Sequence, residues 1–337
     1  MLNLEPSVIA THDGRLGRIV LNRPKALNAL DPQMIRLIDT ALATWRDDPT
    51  VHAVVIEGAG GRAFCAGGDI RAVRAHALAG ETEAVEAFFA AEYALNAVIA
   101  AYPKPYVALV DGICMGGGIG VSVHGRYRVA TEAAQFAMPE TAIAFFPDVG
   151  ASHFLPRLPG RLGLYLGLTG ARMNGADAVH AGLATHFVRR ERLPALSRAL
   201  AEDGVAVLAE LAEPLPPFSL APHRAAIDRC FAAPGPAAIR AALAAEGTDF
   251  AAETLATLDR MSPSSLAWSF AIVRHGADRT LAQCLAAELA LTGHVTRHPD
   301  FAEGVRAMVV DKDRTPRWSP AELAAVDLAG IEAWMGA

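Results

Sequence analysis

Between Met138 and Gly150 the chain reads Met-Pro-Glu-Thr-Ala-Ile-Ala-Phe-Phe-Pro-Asp-Val-Gly, and no other stretch constrains the fold as much. Its apolar residues call for burial, yet it carries two carboxylates, Glu140 and Asp148, eight residues apart. Taking a carboxylate out of water costs on the order of several kcal/mol unless something pairs with it. A fold that buries this segment must therefore give both acids partners or a use. Upstream lies Gly116-Gly117-Gly118-Ile119-Gly120, a glycine cluster that opens a run of small and apolar residues. Acids near exposed backbone N–H groups are the parts needed to attack a carbonyl and hold the resulting oxyanion. The pattern is that of an enzyme.

Composition narrows the class. A chain of 337 residues fits one large domain with an appendage. With 52% hydrophobic and 20% charged residues it reads as globular rather than disordered. The formal charge of −6 and the lack of a basic face argue against a nucleic-acid partner. Met1–Ala10 carries Glu5 and no basic residue, so neither a secretory signal nor a transit peptide is expected. Every apolar run is interrupted short of the roughly 20 residues that span a bilayer. Cys65, Cys114, Cys230 and Cys284 lack metal-ligand spacing; the reading is reduced thiols, a cytoplasmic location and no metal site.

Along the chain, Arg18–Leu21 and Ala53–Ile56 read as buried strands. Between them a helix is predicted, with Asp31 as N-cap, Pro32 at its first position, and Met34, Ile35, Ile38, Ala41, Leu42 and Trp45 on one face. Further strands are predicted at Tyr106–Val110, Arg128–Ala130 and Phe136–Ala137. Residues 1–190 thus read as an α/β core. Residues 191–337 are Ala-rich and read as a helical region, with Pro214, Pro216, Pro217, Pro222, Pro234 and Pro236 at its joints.

Each candidate site has a plainer reading beside it. Phe64-Cys65-Ala66-Gly67-Gly68-Asp69-Ile70 lets backbone approach a ligand, or is a tight turn capped by Asp69. Gly58-Ala59-Gly60-Gly61-Arg62-Ala63 matches a dinucleotide-binding pattern, but no helix opens there and the later acid is misplaced. Gly116–Gly118 exposes helix N–H groups or allows close helix–strand packing. Ser122 lacks the final glycine of a nucleophile elbow. Glu140 is the strongest candidate base, since apolar neighbours raise a carboxyl pKa, against a first-turn helix charge. Asp148 is a second acid or a turn aspartate, and Glu92, taken alone, a solvated helix charge. His124, His153 and His186 show no acidic or hydroxyl partner in a recognisable pattern.

Together these segments resemble the crotonase superfamily of CoA thioester enzymes. Asn22-Arg23-Pro24-Lys25-Ala26-Leu27-Asn28-Ala29-Leu30 is similar to its N-terminal signature. Phe64–Ile70 and Asp111–Gly118 are similar to its two oxyanion segments. The resemblance implies an α/β fold, a crotonase-type spiral of ββα units with a helical C-terminal region, and an oxyanion hole from Gly68 and Gly117. Hydratases of this superfamily carry a second glutamate where this chain has Gly120. The segment Gly117–Gly125, the Phe136–Gly150 stretch and Asp311–Trp318 resemble the 3-hydroxyisobutyryl-CoA hydrolases instead. That implies hydrolysis of an acyl-CoA thioester in valine breakdown, with Glu140 and Asp148 catalytic and Glu92, Gly117, Glu140 and Asp148 touching substrate. It implies no cofactor, an acyl-CoA partner and a homo-oligomer, trimeric by superfamily habit. An enoyl-CoA hydratase or isomerase, or a silent CoA-binding protein, are the rival expectations. Ala144 stands where many relatives have glycine, a departure that is tolerable if the backbone there has negative φ.

Overall fold

The computed structural model describes residues 6–327 and 330–335; the first half of the Met1–Ala10 segment, with Glu5, lies outside them. Among the described residues, ten strands form two sheets. β1 (Val8–Asp13), β2 (Leu16–Leu21), β3 (Ala53–Gly58), β5 (Tyr106–Val110), β7 (Tyr127–Ala130) and β10 (His186–Phe187) lie in that order in the larger one. β4 (Ala63–Cys65), β6 (Ile113–Met115), β8 (Gln135–Ala137) and β9 (Met173–Asn174) form the smaller. β1 and β2 make an antiparallel hairpin, and β2, β3, β5, β7 and β10 run parallel. Each strand expected from the sequence is present, some longer by a residue or two.

The topology follows one repeated step. β3 then β4, β5 then β6, and β7 then β8 each send their first strand to the large sheet and their second to the small one. Helices Pro32–Arg46, Ile70–Leu78 and Gly117–Val123 follow β2, β4 and β6, giving ββα units. The first helix forms for the reasons legible in sequence: Asp31 accepts the Met34 N–H at 2.8 Å, Pro32 opens it, and all six residues of the predicted face are buried.

Two compact units interleave along the chain. The first comprises residues up to Asp69, Ala94–Phe136 and Met173–Phe218. Its core sets Leu16, Val55, Val107, Leu109 and Val129 of the sheet against Leu196, Leu200 and Leu208 from the helices Leu193–Asp203 and Val207–Leu211. The strands stop at Phe187, near the change in composition, but these two helices belong to the sheet unit.

The second unit comprises Ile70–Tyr93, Ala137–Arg172 and the chain from Ser219 onward. It is helical, and three of its prolines open helices: Pro236, Pro263 and Pro299 begin Pro236–Glu246, Pro263–His275 and Pro299–Val305. Its aromatic core stacks Phe145 on Phe146 with centroids 4.6 Å apart and on Phe89 at 5.3 Å. The four cysteines are buried free thiols. No helix among the described residues is long and apolar enough to cross a membrane.

Candidate active site

The glycine segments lie in the first unit, and paired strands bring them together. β4 runs parallel to β6 with Cys65 opposite Cys114, so Gly67–Gly68 and Gly116–Gly117 follow neighbouring strand ends. Gly67 has φ +108°, and a Cβ there would lie 3.3 Å from the Met115 carbonyl and 3.7 Å from the Gly117 nitrogen. That proximity, with the left-handed backbone, is why the position needs glycine.

The N-terminal signature braces this cradle. Leu30 donates to the Gly67 carbonyl at 2.8 Å and accepts from the Asp69 N–H at 2.8 Å, in a parallel bridge with Gly68. Alternation along an extended chain then turns the Gly68 N–H to the opposite side. Asn28, fully buried, donates to the carbonyls of Ala59 and Ala63 at 2.9 Å each and accepts from the Arg23 N–H at 2.9 Å. Arg23 pairs with Asp69 at 3.2 Å, so Asp69 anchors the turn. Gly117 is the first residue of its helix and has no carbonyl four residues back to accept its N–H. The loop from Gly58 leads into β4 and not a helix, in line with rejecting a dinucleotide site.

The acids lie in the second unit. Glu140 and Asp148 are 7% and 5% exposed, and Glu92, expected from local sequence to be solvated, is 2% exposed. Glu140 Oε2 and Glu92 Oε1 are buried without a hydrogen-bond partner among the described residues. Asp148 accepts from the Tyr93 hydroxyl at 2.8 Å. Burial pushes Glu140 well above the usual carboxylate range, and the charges of Asp148 and Glu92 add to the rise. Glu92 rises likewise, by burial and then by Asp148. Asp148 is pushed up to about 7 by burial, held back by Tyr93 and its own backbone. No cation is among the groups that shift them. Such a set gives up its protons one acid at a time, Asp148 near neutral pH, which is what general acid–base chemistry needs.

Ala144 departs from expectation. Its φ is +53°, in the left-handed region, where it closes the 3-10 turn Glu140–Ile143 by donating to the Glu140 and Thr141 carbonyls. The turn needs that backbone whichever residue occupies it, so this alanine is strained. His186 also differs from its sequence reading, since its Nδ1 lies 2.8 Å from the Thr185 hydroxyl.

One acid escaped the sequence reading. Glu288, fully buried on the helix Leu281–Val295, accepts from Gly150 N–H at 2.7 Å and Ser152 N–H at 2.9 Å. Burial raises it to about 8 against those hydrogen bonds. The signal was present: Glu288 sits on the apolar stripe of Cys284, Leu291 and Val295, where a solvated charge has no place. Among the described residues no three His, Cys, Asp or Glu side chains cluster as metal ligands.

The chain is similar to known proteins. A family model described as enoyl-CoA hydratase/isomerase matches residues 16–335. The mitochondrial 3-hydroxyisobutyryl-CoA hydrolase of Xenopus tropicalis is 48% identical over 324 residues, 93% of this chain and 84% of that protein. The crystal structure of a carnitinyl-CoA dehydratase from Mycobacterium thermoresistibile superposes with a TM-score of 0.94 at 41% identity, covering 99% of this chain and 97% of that one. That of an enoyl-CoA hydratase from Rhodobacter sphaeroides gives 0.93 at 42% identity, covering 98% and 97%.

Proposed function

The chain belongs to the enoyl-CoA hydratase/isomerase family, and from that footing we propose that it hydrolyses 3-hydroxyisobutyryl-CoA to the hydroxy acid and free CoA, a step of valine breakdown. The observation that carries the reading is Glu140, a buried carboxyl with one oxygen unpartnered and its pKa raised mainly by burial. Such a group is destabilising in a mere binder and becomes useful when water or a thioester carbonyl meets it. Gly68 and Gly117 N–H groups hold the thioester oxygen as charge develops on it, each donor being worth about 3 kcal/mol in the transition state. Glu140 activates water or attacks the carbonyl to form a mixed anhydride that water then opens. Asp148 binds the substrate 3-hydroxyl and exchanges protons with Glu140, while Glu92 lines the pocket. The reaction consumes only water and the acyl-CoA. Four buried free thiols support a reducing compartment, as the cytoplasm is.

Hydration or isomerisation of an enoyl-CoA is the second reading, hydration favoured by the names of the two structural neighbours and isomerisation by the family description. Position 120 speaks against hydration: it is a glycine buried in the helix Gly117–Val123, and glycine transfers no proton. One experiment separates the readings. With 3-hydroxyisobutyryl-CoA the protein releases a free thiol, and with crotonyl-CoA the enoyl absorbance persists. Rapid loss of that absorbance without thiol release would establish the hydratase instead, and CoA binding without either activity would establish a silent binder.

A further inference from the structure

Glu288 takes no part in the reaction proposed above, yet its buried carboxylate gathers three donors. Gly150 N–H reaches Oε2 at 2.7 Å, and Ser152 N–H and hydroxyl reach Oε1 at 2.9 and 2.5 Å. What these bonds hold is the turn directly after Asp148. Val149 has φ +54° and Gly150 φ +84°. A β-branched residue is disfavoured in that left-handed region and stays there only where surrounding structure fixes it. The helix Ala151–Phe154 that follows has Gly150 at its N-cap, which offers no side-chain cap. Glu288 supplies the missing acceptor from the helix Leu281–Val295.

The same helix reaches Asp148 by a second route. Thr292, one turn beyond Glu288, has its hydroxyl 3.2 Å from the Tyr93 hydroxyl, which donates to Asp148 at 2.8 Å. The Thr292 hydroxyl also lies 2.9 Å from the Glu288 carbonyl, so its one proton is shared between that carbonyl and the Tyr93 oxygen. The backbone after Asp148 and the carboxylate itself are therefore tied to one helix.

From this geometry we infer that Glu288 is a positioning residue, fixing the Asp148 turn through backbone bonds and so setting where the Asp148 carboxylate points. The inference rests on the assignment of Asp148 to the hydrolytic site. Only a carboxyl group, with an acceptor oxygen on each side, meets the demand. Two of the three donors are N–H groups that cannot reverse, and a glutamine offers one acceptor oxygen and one NH2. Whichever way that amide turns, the Gly150 or the Ser152 N–H faces another N–H and loses its partner. Burial and the charge of Asp148 both raise Glu288. The other titratable groups around Asp148 are Glu92, Glu140 and Tyr93, and Glu288 adds to the rise of Tyr93.

The test is thiol release from 3-hydroxyisobutyryl-CoA by purified Glu288→Gln across about pH 5–9. The expected kcat falls about 10- to 100-fold with KM within about threefold, circular dichroism is native, and the preference over the analogue lacking the 3-hydroxyl narrows. Native-like turnover with that preference intact overturns the inference. So does a lower kcat with the preference intact, which assigns Glu288 to stability alone. If Glu288→Gln does not fold, Ser152→Ala replaces it: removing one of three donors lowers kcat by about three- to tenfold, and unchanged turnover overturns the inference. Asp148→Asn is assayed alongside. Full turnover by that variant removes the reading of Asp148 and the inference with it. An impaired Asp148→Asn beside a normal Glu288→Gln removes the inference alone.

Discussion

Gly118→Ala tests whether the cradle between β4 and the helix Gly117–Val123 sets the catalytic geometry. A Cβ at Gly118 would lie 2.3 Å from the Cys65 carbonyl oxygen and 3.0 Å from its carbonyl carbon and Cβ. An unstrained carbon–oxygen contact is about 3.3 Å, so one segment must retreat by about 1 Å. Neither yields easily, since Cys65 is held in the β4–β6 pairing and the obstructing atoms are backbone. Gly117 precedes the substitution and Gly68 follows Cys65 by three residues, so the displacement falls between the two proposed donors. Donors tuned to about 2.7–3.1 Å lose their bond at that offset, which costs about 10²- to 10³-fold in kcat. Overpacking adds about 1–3 kcal/mol of destabilisation. The assay is thiol release from 3-hydroxyisobutyryl-CoA at a temperature where circular dichroism is native. Gly235→Ala is the control, because a Cβ there meets nothing within 4 Å. Folded Gly118→Ala with turnover within about twofold of wild type would refute the argument.

Glu140→Gln should lower kcat by at least about 10²-fold with CoA-ester binding retained, measured by thiol release and calorimetry; near-normal turnover excludes Glu140 from the chemistry. Asp148→Asn should impair the 3-hydroxy substrate more than the analogue lacking the hydroxyl, and equal loss on both would assign Asp148 elsewhere. Stability should fall as pH rises from about 4 to about 8. Asp148 moves from 3.8 unfolded to about 7 folded and Glu288 from 4.5 to about 8, so in that window the folded state holds protons the unfolded chain has released. Each pH unit of the window is worth about 1.4 kcal/mol per group, and thermal midpoints that rise from pH 5 to 8 would contradict this. Ala144→Gly should raise the midpoint by about 1–2 °C, since relief of about 1–2 kcal/mol of left-handed strain outweighs the about 0.5–1 kcal/mol entropy of the added glycine. A lower midpoint would show the alanine methyl to matter more than its backbone.

Much of the fold was legible in the sequence because its signals are local. The cap and 3.6-residue period of Pro32–Arg46, the apolar runs of β3 and β5, and the glycines after β4 and β6 each report a conformation that nearby residues enforce. The oddity of Glu140 and Asp148 was legible for the same reason, since apolar neighbours in the chain foretold their burial. What only the tertiary structure decided lies in contacts between distant segments. Glu92 reads as a surface charge until its helix is packed, and it is then among the least exposed acids. Glu288 lies 138 residues from the Gly150 N–H it accepts, and no spacing rule links them. The left-handed backbone of Ala144 is set by the turn it closes rather than by alanine, whose own preference is the opposite. Periodicity records which face of an element is buried; which polar groups then meet is decided only when the elements pack.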